Sequence, residues 1–231
     1  MTANKKKART YLLDFLIILL GISTSFFLEN KREQHYQKDL KEQSLSRMIK
    51  NIQTDQKDYD LNIKAHQMAL QSSNWLIDNQ STLQTNSRDS IGYHLQMASG
   101  INTLFIDNDE EYRSLQNSGL IELIKNEHLV EALQNKYSSH EYIDEIENLL
   151  GAKMLNLDEF RLNNIRYNST ASNQLGFAHD ITYTGPPEIP SSIIQKIYDK
   201  MTLHQSFIDV TNFRKKTDEE LLKLIQSEIA L

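Results

Sequence analysis

The 231-residue chain has no cysteine, which excludes disulfides, thiol chemistry and Cys-ligated metal. Proline is almost absent: its three residues all fall at positions 186–190, and with only seven glycines long stretches carry no helix breaker. Familiar catalytic signatures are missing too. There is no HExxH, GxSxG, GxGxxG or Walker-type loop, and His140-Glu141 is not followed by a second histidine. The acidic run at 107–111, DNDEE, lacks the alternating spacing and central glycine of a calcium loop. A surplus of positive charge is lacking as well: the net charge is −6, which argues against a nucleic-acid partner. These absences lead us to expect a protein that is not an enzyme and needs no cofactor.

What is present begins with LLDFLIILLGISTSFFL at 12–28, preceded by MTANKKKART. Its Leu, Ile and Phe residues each favour insertion into lipid by roughly 0.3–0.6 kcal/mol, together outweighing one carboxyl, Asp14, that costs at most about 3.5. Asp14 lies close to the start of the run, within reach of the headgroups. At about 1.5 Å per residue, 11–28 covers roughly 27 Å, just enough for the bilayer core. A cleaved secretory signal is the rival reading, with Lys5, Lys6, Lys7 and Arg9 as the basic region and Ser23 and Ser25 as a small-x-small site. Against it, the apolar run continues through Phe26, Phe27 and Leu28. Basic residues on the two flanks nearly balance. Their density on the short side places 1–10 in the cytoplasm, 11–28 in the membrane and 29–231 outside.

The first 28 residues contain four basic residues and one acidic residue, so 29–231 carries 21 basic against 30 acidic residues, a net charge of −9. The expected fold is all-α: the membrane helix runs on into an elongated antiparallel bundle of about three long helices plus short ones. Leu45, Met48, Ile52, Tyr59, Ile63 and Leu70 recur at helical spacing and mark one buried face. Asp55 and Gln56 interrupt that stripe, which favours a helix packed in its own bundle over a dimeric coiled coil. Polar clusters between 79 and 108 around a short amphipathic piece at 91–98 read as the distal turn. Asp107, Asn108 and Asp109 offer caps for a helix from Glu110, Gly119 ends it in the left-handed conformation, and Asn126 caps the next. A second short helix is expected at 120–125. From Glu127 apolar residues recur for nearly forty positions, giving a second long helix. Residues 166–190 have no period of their own, which marks a functional or mobile loop. Ser191 or Ser192 caps a final helix, either continuous or restarting at Thr217 with Glu220 as a capping box.

Three sets of residues invite chemistry. Asp14 is an intramembrane charge that could pair with a cation on another membrane protein, and Gly21 and Ser25 supply the small-xxx-small spacing that lets helices approach closely. His66, His140 and His204 lie on or beside three apolar stripes. In a chain that goes up, down and up, His66 and His140 meet, with His204 some 15 Å away, a poor basis for a zinc site. The acidic runs at 107–111 and 218–220 stand at expected helix starts, where capping explains them better than catalysis.

The order Asp14-Phe15-Leu16, then LLGIS, then a charged helix resembles an uncharacterised family of small single-pass membrane proteins of Bacteroidota, domain of unknown function 6090. The segment EEYRSLQNSGLIELIKNEHLVEALQNKY at 110–137 is similar to that family's Tyr-x-x-Leu-x-x-Ser-Gly-x-Leu-x-Leu-Ile-x-Asn pattern, here Tyr112, Leu115, Ser118, Gly119, Ile121, Leu123, Ile124 and Asn126. The match covers about the first 140 residues, and its positions read as structural. Where many relatives carry an Asn-Trp-Asn-Glu-like run, this chain has Glu29-Asn30-Lys31-Arg32. The resemblance implies an inner-membrane protein with a helical domain in the periplasm, and no reaction. The expected partners are membrane lipid and either another envelope protein or further copies of the chain. The alternative is a sensory bundle that signals through a partner, because about ten cytoplasmic residues are too few for an output domain. A hydrolase of unfamiliar type is the third and weakest option.

Overall fold

A computed structural model describes residues 2–230, with side chains for 12–139 and 141–230. Helix α1, Thr2–Asp78, runs unbroken because no proline and no glycine but Gly21 interrupts it. Residues 12–28 of this helix are long and apolar enough to cross a membrane, and none of that stretch is buried. Leu12, Phe15, Ile17, Ile22 and Phe26 all stand more than half exposed, a surface that water does not tolerate on this scale. The basic side chains of Lys5, Lys6, Lys7 and Arg9 lie outside the described residues. Between Leu28 and Lys41 α1 is a lone polar helix with local pairs such as Arg32–Glu29, lifting the body roughly 20 Å from the apolar stretch.

The rest of the chain packs along the far half of α1. A short 3-10 turn, Leu83–Thr85, leads into α2, Arg88–Gly100, capped by the Ser87 hydroxyl accepting from the Ser90 amide. Residues 101–109 then descend beside α1 without helix. Thr103 stands at His66 and Asn108 at Asp55, so five residues cover the height of eleven helical ones, as extended chain does. Helix α3, Glu110–Asn117, and the 3-10 turn Leu120–Leu123 close the end nearer the apolar stretch. Helices α4, Glu127–Ser138, and α5, His140–Asn164, climb again. An antiparallel hairpin, β1 Ile165–Tyr167 with β2 Ile181–Tyr183, covers the distal end, and α6, Ser191–Ile229, returns along α1.

The all-α expectation holds, with corrections. The chain goes up, down, up and down, the first descent being mostly extended, so α6 is antiparallel to α1: Lys41 meets Glu228 and His66 meets His204. The expected second long helix breaks at Ser139 into α4 and α5. The segment 166–190, taken as aperiodic, contributes the hairpin, with Ile181 and Tyr183 buried. Helix α6 does not restart at Thr217, and Pro190 rather than a serine precedes it, with no side-chain cap.

Four apolar clusters lie along the rod, the smallest being Ala65, Ala69, Met97 and Ile101 between its middle and its distal end. Leu45, Met48 and Ile52 pack with Leu129, Leu133, Leu221 and Ile225 at the proximal end. Tyr59, Phe105, Ile146 and Phe207 fill the middle. Leu76, Leu95, Ile181, Tyr183 and Ile197 fill the distal end. Gly92 permits a close backbone contact there, since a Cβ on it would stand 2.7 Å from the Ile181 carbonyl oxygen. Gly119, at φ 72°, makes the turn out of α3 in the left-handed region expected of it.

Candidate functional site

Of the residues singled out from sequence, Asp14, Gly21 and Ser25 lie on the isolated apolar stretch, exposed, with nothing within 4 Å of a Cβ built on Gly21. The 112–126 segment forms the proximal corner. Tyr112 stacks on Tyr137 with ring centroids 4.5 Å apart, and Leu115 and Ile124 are buried against α1 and α4. Ser118 donates to the Ser114 carbonyl, the Leu123 carbonyl accepts from Lys41, and the Asn126 side chain caps α4 by accepting from the His128 and Leu129 amides. Ile121 packs at the edge of the same cluster. These contacts are packing and capping contacts.

The densest group of charges forms in the middle of the body. Lys136 of α4 is buried and directs its ammonium to three carboxylates: Asp55 of α1 at 3.1 Å, Asp107 of the extended segment at 3.2 Å and Asp218 of α6 at 2.9 Å. Arg214, one turn away on α6, donates to Asp107 at 2.7 Å and to the Lys136 carbonyl at 2.9 Å. Asn108 donates to Asp55 at 2.6 Å. Burial pulls Lys136 towards its neutral form, but Asp218, Asp107 and Asp55 outweigh it and hold the ammonium above the ordinary lysine range. Burial raises Asp55 and Asp218 above the usual carboxylate range despite Lys136. Both directions follow from three acids sharing two bases in a dry site. The acidic runs that hold Asp107 and Asp218 point to helix caps. Neither caps: Asp109 precedes α3 without a cap bond, and Asp218 lies inside α6. Their cation comes from a distant helix, so no local pattern could reveal it. Asp55, whose polarity breaks the α1 stripe, was the one available signal.

Over this cluster lies an open groove of about 890 Å³ between α4 and α6. Lys136, Arg214 and Asp218 form its polar floor; Ala132, Tyr142, Val210, Phe213, Leu221 and Leu224 form its apolar lining. Phe213 is 68% exposed and Tyr142 58%, so the groove presents two aromatic rings to solvent. Asp209 and Glu220, both exposed, stand at its rim.

Further up, His66 and His204 face each other, Nδ1 to Nδ1 at 2.7 Å, both fully buried, with Thr103 Oγ1 at 2.8 Å from His66 Nε2. This corrects the expected pairing of His66 with His140, whose side chain lies outside the described residues; the antiparallel return of α6 brings His204 up instead. Two ligands of one zinc ion at about 2.0–2.1 Å stand further apart than this contact, so the nitrogens share a proton rather than an ion. Among the described residues no group of three His, Asp or Glu is placed to hold a metal. Burial, then Lys200, pushes His66 down to about 3, and burial, His66 and Lys200 lower His204. Lys200 is buried, donating to the Ser99 and Ile101 carbonyls at 2.6 and 2.8 Å. Burial and the nearby Arg161 guanidinium pull its ammonium down to about 7.

No family model matches the chain, and no curated protein or solved structure gives a match.

Proposed function

We propose that this chain is a non-catalytic, membrane-anchored envelope protein whose helical body mediates protein–protein contact, either with another envelope protein or with its own copies. The observation that carries the reading is the pairing of a bare apolar helix at 12–28 with an apolar, aromatic-lined groove on the body it holds out. The first has the length and composition for lipid; the second is the kind of concave surface with exposed rings that protein partners fill. The basic density at 4–9 and the resemblance of Asp14-Phe15-Leu16 and of Tyr112 through Asn126 to the Bacteroidota family add the inner membrane, a cytoplasmic amino terminus and a periplasmic body to the reading. Asp14, Gly21 and Ser25 offer a second contact within the bilayer.

A sensory role is the second reading, favoured by a groove volume within the roughly 300–1,000 Å³ typical of small-ligand sites. Affinity purification of the full chain from detergent-solubilised membranes separates the two. A stoichiometric protein, lost in Phe213→Glu, supports protein contact; a co-purifying small molecule lost in the same variant replaces it with sensing. Recovery of a shortened chain from the soluble fraction overturns the anchor. Association of the isolated span that is unchanged by Asp14→Leu and Gly21→Leu dismisses the intramembrane contact.

A further inference from the structure

We propose that the groove between α4 and α6 of one copy receives the outer face of α1 of a second copy, so that anchored copies assemble head to tail in the plane of the membrane. This rests on the reading of the body as an interaction module and names its partner.

On α1, Lys50, Lys57 and Lys64 recur at seven-residue spacing, all exposed, on the side turned away from the buried stripe of Leu45, Ile52 and Tyr59. Leu61, 50% exposed, stands between the upper two. The neighbouring acid, Asp60, is occupied by Lys215 at 2.6 Å, so the stripe is net positive around one apolar side chain. The groove is its complement. Its floor cations, Lys136 and Arg214, are engaged by Asp55, Asp107 and Asp218, which leaves Asp209 and Glu220 as the charges open to solvent around exposed Phe213 and Tyr142. Lysine stems and ammonium groups pack well over such rings.

Height decides that a second copy can be the occupant. Lys41 meets Glu228 and His66 meets His204, so Glu220 stands level with about residue 49 of α1 and Asp209 with about residue 61. Lys50 therefore lies at the height of Glu220, and Lys57 and Lys64 flank that of Asp209. Copies held in one membrane by the same helix share these heights, so stripe and groove meet without vertical displacement. Confinement to the membrane raises the local concentration towards the millimolar range, enough for a contact that is weak in solution. The body's net charge of −9 opposes association only at short range, because charges beyond about 8 Å are screened at physiological salt. Since groove and stripe are different surfaces, the contact is heterologous and builds rows or rings. It also sets adjacent α1 helices roughly 16–20 Å apart, so Gly21 and Ser25 do not touch between copies and stay open to a different membrane protein.

The chain has no cysteine, so introduced thiols are unique. Two differently tagged full-length copies are co-expressed, one with Lys57→Cys and the other with Asp209→Cys, and the membranes are oxidised. The expected result is a disulfide-linked dimer carrying both tags, and none when both copies carry the same substitution. With Lys50→Cys and Glu220→Cys as the reporter pair, Lys57→Glu lowers the yield about fivefold and Asp209→Lys in the other copy restores it. All four sites are exposed, and unchanged thermal melting confirms the fold. Gly21→Leu leaves the yield unchanged. Same-substitution dimers, a yield no higher than that of Lys57→Cys with the distal control Glu188→Cys, or loss of the dimer in Gly21→Leu each overturn the proposal. A different protein captured at the groove by the purification above, with no self-dimer, overturns it too while leaving the interaction reading in place.

Discussion

The middle and the distal end of the body are held together by opposite means. At the level of Asp55, helices α1, α4 and α6 and the extended segment meet through five buried charged side chains, whereas above Leu76 the chain closes on aliphatic residues, Tyr183 and a two-stranded hairpin. Apolar burial is non-directional and tolerates some sliding. A lysine that must reach three carboxylates from three separate segments does not. We infer that the charged cluster sets the register in which α4 and α6 pack on α1, and that the apolar clusters supply most of the stability.

The strongest way to break that contrast is Lys136→Met, which leaves Asp55, Asp107 and Asp218 buried together. It should cost about 3–5 kcal/mol in chemical denaturation and raise hydrogen exchange in the middle of both α4 and α6. A melting temperature within a degree or two of wild type would show that the cluster adds nothing. Leu95→Ala at the distal end should cost about 3 kcal/mol, by cavity formation, without changing exchange around Lys136. Gly92→Ala should cost about 1–3 kcal/mol by pushing the hairpin off α2, read as increased exchange or proteolysis near Tyr183.

A change of pH sharpens the picture by a different route. Lys200 binds its proton less tightly in the folded chain, at about 7, than an unfolded lysine near 10.5. Between those values the unfolded state holds more protons, so stability should rise with pH by up to about 1.4 kcal/mol per unit, and Lys200→Met should flatten the slope. Glu147, which burial raises to about 7 against its bond from the Phe105 amide, acts in the opposite sense and in a lower window. Its contribution is full below about 4.5 and lost as pH rises to about 7.

Much of the scaffold was legible from one-dimensional patterns. Leu45, Met48, Ile52 and Tyr59 are buried as their spacing implies, Gly119 adopts the left-handed turn, and Asn126 caps α4. Those features depend on neighbours within one or two helical turns. The hairpin was hidden because strands of three residues are too short to display alternation. Asp107 and Asp218 each stand in a local acidic run, which points to capping and says nothing of a lysine on another helix. The pairing of His66 with His204 rather than His140 was hidden for a similar reason: an extended descent carries no apolar period, yet it reverses the direction of everything after it.

Composition and periodicity by themselves determined that the chain is helical, that it has one stretch with the length and apolarity to cross a membrane, and which faces of its helices turn inward. Tertiary structure alone decided that Lys136 meets three acids, that His66 faces His204, and that a groove opens beside Phe213. Helix formation is governed by interactions a few residues apart, whereas these contacts join positions tens to more than a hundred residues distant, and only the folded path brings them to the same height.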